Sequence, residues 1–182
     1  ENKMTVARNT AILLAETLNG LVPFEILGFS GDRRSYPSSR IKDAKAFSRW
    51  GSLDMIYFKK FEETFGNEAK KRLISMNAMA ENYDGESVQF AAKRLLDQSE
   101  QKKILFVLSD GTPCAGRCDY TKLGPHLKGV VEDLSKIDNL HIVAFGIKTE
   151  APKSYYPNHV IINDPAKDLA ETVMGELNKI LT

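Results

Sequence analysis

Cysteine and histidine are scarce in this chain, with two and three copies among 182 residues. Two cysteines do not make a disulfide scaffold. Charge of one sign is lacking as well. Lys and Arg number 25 against 24 Asp and Glu, a net charge of +1, which offers no general electrostatic case for nucleic acid or an anionic membrane. No apolar run approaches the roughly 20 residues that span a bilayer. The opening stretch, ENKMTVARNT, has no apolar signal-peptide core. A cytoplasmic protein that binds neither nucleic acid nor membrane is the expectation. Absent too are GxGxxG and GxxxxGK[ST], which argues against either common nucleotide site. Neither a GxSxG elbow nor an HExxH pair occurs, so the familiar hydrolase signatures are missing.

The chain is rich in alternation. Residues 4–18 carry a helical stripe of Met4, Ala7, Ala11, Leu14, Ala15 and Leu18, stopped by Asn19-Gly20. A strand is expected over 24–29. Residues 30–51 are polar and turn-rich with no sustained period, long for a plain connection. LDMIYFKKFEETF fits a strand or a helix. A helix is expected from Asn67 to about 81, and another over 86–98, where Val88, Ala91, Ala92, Leu95 and Leu96 share a face. KILFVLSD is a continuous apolar run of strand length, of the kind buried by helices on both sides of a parallel sheet. HLKGVVEDLSKI then reads as a helix, HIVAFGI and HVIIN as strands, and residues 165–181 as an amphipathic helix begun by Asp164-Pro165. Helices alternating with apolar strands predict one α/β domain over 1–182. Its sheet should be doubly wound and mostly parallel, with helices on both faces. In such a sheet ligands bind beyond the C-terminal ends of the strands, where KILFVLSD delivers Asp110.

Two acidic turns stand out. Asp110-Gly111 follows a strand and Asp84-Gly85 precedes a helix. Turn chemistry accounts for each singly, and Asp84 has the makings of a helix cap. Within this fold both fall on one rim. Two carboxylates with hydroxyls and waters make a hard-oxygen site suited to magnesium or a similar divalent cation. Cys114 and Cys118 are spaced C-x3-C in the loop beside Asp110. They supply two of the four ligands of a structural zinc site and no second pair exists, so a disulfide or two free thiols is the plainer state. His126, His141 and His159 fall at element ends.

The segments PFEILGFS, SLDMIYFKKF, ENYDGES, ILFVLSDGTP, HLKGVVEDL, IVAFGI, SYYPNHVIIND and LAETVMGEL, in this order, resemble the von Willebrand factor A domain of CobT-type cobaltochelatase subunits. The resemblance spans essentially the whole chain and implies a vWA (Rossmann-like) fold, with 30–51 as a branch-specific insertion. It further implies a metal-ion-dependent adhesion site built from three pieces. Asp110 matches the aspartate after the fourth strand, and Asp84 stands where the family's threonine loop lies, as the acidic variant DGE. The third piece, DxSxS after a central first strand, is not present in residues 1–182; ENKM resembles the stretch directly after that piece. The native polypeptide is therefore expected to begin earlier, with an apolar strand and an acidic-serine loop. The implied role is a non-catalytic chelatase subunit holding Mg2+. It would cooperate with an AAA+ ATPase and a large subunit that inserts cobalt into a corrin ring. Arg33, Arg34, Arg40 and Arg49 on the insertion are candidates for docking an acidic partner, with a solvated basic loop as the simpler reading. Two alternatives stay open: a vWA adaptor of an AAA+ ATPase unrelated to cobalamin, and a hydrolase with Asp110 as nucleophile or base.

Overall fold

The computed structural model describes residues 2–31, 52–115 and 120–181. The polar segment carrying Arg33, Arg34, Arg40 and Arg49 lies outside them, as does Cys118. No helix among the described residues is long and apolar enough to cross a membrane.

Among the described residues five α-helices and five strands are formed. They are α1 (Lys3–Leu18), β1 (Ile26–Gly31), β2 (Leu53–Lys59), α2 (Asn67–Ile74), α3 (Asp84–Leu96), β3 (Lys103–Ser109), α4 (Leu123–Leu134), β4 (Leu140–Ile147), β5 (His159–Ile162) and α5 (Pro165–Leu181). The ambiguous LDMIYFK resolves as a strand. Strands β3, β4 and β5 are parallel, in the order β3-β4-β5. Strand β4 sits at the centre of this sheet and is buried along nearly its whole length, as expected for a strand covered on both faces.

Alternation along the strands assigns the two faces. On one, Phe106 and Leu108 of β3 join Val143, Phe145 and Ile147 of β4, packed under Val6 and Leu14 of α1 and Val173 and Leu177 of α5. On the other, Leu105, Val107, Ile142 and Ala144 meet Val88 and Ala92 of α3 and Leu127, Val130 and Val131 of α4. The result is a three-layer α/β/α arrangement.

The described strands form two hydrogen-bonded pieces. Strands β1 and β2 pair antiparallel with each other, and no ladder joins them to β3 among the described residues. Helices hold the pieces together. Ala11 and Ala15 of α1 pack with Phe58 of β2 and Ala69 and Leu73 of α2 while the same helix covers β4. From the opposite face, Arg94 of α3 grips Glu25, just before β1, with bonds of 2.7 and 2.6 Å, and lies over the Tyr57 ring of β2. Strand β3 has the same apolar character as β4, yet Ile104, Leu105, Phe106 and Leu108 are only partly buried.

Several boundaries differ from expectation, three of them with an identifiable physical cause. Strand β1 starts two residues late, because Phe24 packs edge-to-face on Phe65 and gives its carbonyl to the buried Lys59 ammonium. Helix α2 stops at Ile74 rather than continuing to about 81. The Ser75 hydroxyl turns back to the Arg72 carbonyl, and residues 80–82 bond to other segments instead: Ala80 N–H donates to Ser30 Oγ at 3.0 Å, and Gly31 N–H donates to the Glu81 carbonyl. Helix α4 starts at Leu123, with Pro125 in its first turn, where no amide is needed.

Candidate functional site

The two predicted aspartates come together at the C-terminal end of the parallel sheet. Asp110 directly follows Ser109, the last residue of β3, and is exposed. The Ser109 hydroxyl stiffens the turn by donating to the Gly111 carbonyl at 3.0 Å. The Lys3 ammonium donates to the backbone carbonyl of Asp110 at 2.6 Å, so the start of α1 reaches the same rim.

Asp84 differs from the sequence reading in one respect. It is the first residue of α3 rather than its cap; Tyr83 holds the cap position and makes no side-chain capping bond. The Asp84 carboxylate therefore stands at the helix N-terminus, where unpaired amides favour negative charge. It is also 3% exposed. Asn82 aligns it, donating from Nδ2 to Asp84 Oδ2 at 3.0 Å and to the Thr112 carbonyl at 3.3 Å. The backbones of Asn82 and Cys114 exchange hydrogen bonds of 2.9 and 3.3 Å, fastening the Asp84 loop to the Asp110 loop. Gly85 is dictated by close packing, since a Cβ there would strike the His126 imidazole of α4.

The electrostatics of this pair are unfavourable as they stand. Burial pushes the Asp84 carboxyl up to about 7, the Asn82 amide and its own N–H partly oppose this, and the neighbouring Asp110 raises it further. None of these groups is a cation. In the core cluster that holds Val88 of α3, Tyr156 is 2% exposed, and its hydroxyl has no hydrogen-bond partner among the described residues.

This donor set fits a hard divalent cation. It offers two carboxylate groups, and magnesium needs only one or two protein carboxylates because it keeps several waters. Among the described residues no three His, Cys, Asp or Glu side chains gather, and Cys114 is an exposed free thiol.

The family model for the cobalamin biosynthesis protein CobT VWA domain matches residues 1–182. The chain belongs to this family. Membership places the CobT VWA domain in cobalamin biosynthesis and accounts for the α/β architecture. Sequence reasoning missed Asn82, which bonds to Asp84, and the buried Tyr156 with its unpartnered hydroxyl. Asn82 was visible as a polar neighbour in ENYDGES, whereas Tyr156 lies 72 positions from Asp84 and gave no local signal.

Proposed function

We propose that this CobT VWA domain is a metal-dependent interaction module of a cobaltochelatase subunit. Asp84 and Asp110 would hold Mg2+ at the rim, Asp110 through water and Asp84 directly or through water. An open coordination position then receives a carboxylate from a partner, so that association depends on one cation and one acidic side chain. A charge-assisted contact of this kind supplies selectivity as well as affinity. The partner assembly is an AAA+ ATPase subunit together with the large subunit that inserts cobalt into the corrin ring; cobalt is the cargo of that reaction, and this domain contributes no catalytic residue to it.

One observation carries the reading. A carboxylate that is almost wholly buried has a second carboxylate beside it and, among the described residues, no cation acting on it, which is costly unless a positive charge is brought in. The split sheet supports the same reading. Among the described residues no ladder partner lies on the outer edge of β3, beside the rim where Lys3 meets Asp110, so that edge is open to a further strand. Calorimetric titration of Mg2+ into the full-length protein, with Asp110→Ala as the control, is the test. Binding that disappears in the variant supports the site, and absence of binding in the wild type overturns it.

A further inference from the structure

The Tyr156 hydroxyl is a buried polar group at this end of the core that the metal reading does not use. Its ring lies in the cluster between α3 and α4 that contains Val88 and Leu127. Val88 is one turn beyond Asp84 on α3, so both project from the same side of the helix, and Tyr156 shares its buried cluster with Val88. The backbone around it is fixed: Tyr156 N–H donates to the Pro152 carbonyl at 2.8 Å, and the Tyr156 carbonyl meets His159 Nδ1 at 2.9 Å. A phenylalanine would fill the same space without burying a hydroxyl. Buried polar groups left unpaired are rare, and each calls for a reason. Both burial and the Asp84 carboxylate push the Tyr156 phenol up, so the two groups are within electrostatic reach of one another. The carboxylate has about four acceptor positions, and the described side-chain donor to it is Asn82 alone.

We infer that Tyr156 is a positioning residue for the rim cation: its hydroxyl donates to the Asp84 carboxylate, directly or through one water, once that carboxylate is ionised and facing a metal. Asn82 from the loop side and Tyr156 from the core side then fix the carboxylate in one orientation. Outer donors of this type set ligand geometry, and their loss commonly lowers metal affinity 10- to 100-fold. The inference rests on the metal reading, and one experiment separates the two.

Mg2+ is titrated into full-length wild type, Tyr156→Phe, Asp84→Asn and the double variant, and thermal unfolding of each is followed in EDTA. The expected result is a rise of about tenfold or more in the Kd of Tyr156→Phe, with unfolding in EDTA unchanged or moved to higher temperature. In the Asp84→Asn background the same change should have no further effect on Mg2+ binding. Wild-type affinity in Tyr156→Phe overturns the inference and leaves the metal site standing. Loss of affinity together with a fall in thermal stability in EDTA makes Tyr156 a packing residue and overturns it as well. A wild type that binds no Mg2+ overturns both readings.

Discussion

The two ends of α3 each bury a carboxylate, and they solve the problem differently. At the C-terminal end Glu25, its side chain 4% exposed, receives both arms of Arg94 at 2.7 and 2.6 Å. The pairing raises the Arg94 guanidinium above its ordinary value, and the arginine also stacks over Tyr57. At the N-terminal end Asp84 is as deeply buried, but its partners are an amide and a helix start, with Asp110 repelling it. A buried acid with its own cation is a clamp, here fastening β1 to α3 across the break between the two sheet pieces. The contrast on one helix sets a carboxylate paired with an arginine beside one that has no cation among the described residues.

The largest expected effect comes from breaking the clamp. Arg94→Ala leaves Glu25 buried and unpaired, and should lower unfolding free energy by about 3–5 kcal/mol, read from urea denaturation. Replacing both members by apolar residues of similar size should recover most of that loss, because it is the stranded charge that is expensive.

The second effect has the opposite sign. The folded carboxyl of Asp84 sits near pH 7 while an unfolded aspartate titrates near ~3.9. Between these values the folded state holds the extra proton, so metal-free stability should fall as pH rises from about 4 to about 7, then level off. Asp84→Asn removes that slope. In EDTA at pH 8 the variant should be more stable than wild type by as much as ~4 kcal/mol, the free-energy equivalent of a shift of that size. Equilibrium unfolding at pH 5 and pH 8 checks it. A variant less stable than wild type at both pH values would remove the contrast between the two helix ends.

Magnesium should restore the balance. At 100 times its Kd it should stabilise the wild type by about 2.7 kcal/mol. Neither Asp84→Asn nor Asp110→Ala should respond, as read by the shift in Tm with added Mg2+. The smallest effect tests the packing that sets the N-terminal end. Gly85→Ala drives a methyl into the His126 ring and should lower stability by roughly 1–2 kcal/mol, with a weaker response to Mg2+ because α3 must move. The same measurements on Gly129→Ala, where open space surrounds the position, provide the comparison.

Much of the fold is written locally. KILFVLSD and HIVAFGI carry apolar residues on both faces, which is the mark of central parallel strands, and the Asp110 end of the first is set by strand direction alone. The stripe in α1 and the Val88, Ala92 face of α3 are equally plain. Where local reasoning fails, distant contacts are the cause. Residues 75–81 have acceptable helix propensity and would extend α2, but long-range bonds to Ser30 and Gly31 override it. Asp-Gly before a helix is commonly a cap, yet Tyr83 takes that place because it is buried beneath Gly31. The arginines at 33 and 34 lie outside the described residues.

The sequence by itself determined the layers, the parallel core, the two acidic turns and the family, because periodicity of 2 and 3.6 and short motifs are properties of neighbouring residues. Only the tertiary structure decided which carboxylates are buried and which of them is paired with a cation among the described residues. Glu25 and Arg94 are 69 positions apart, and the loop carrying Asp84 meets the loop carrying Asp110 through the Asn82–Cys114 bridge. Burial and charge compensation are sums over such distant contacts, and those sums exist only once the chain has folded.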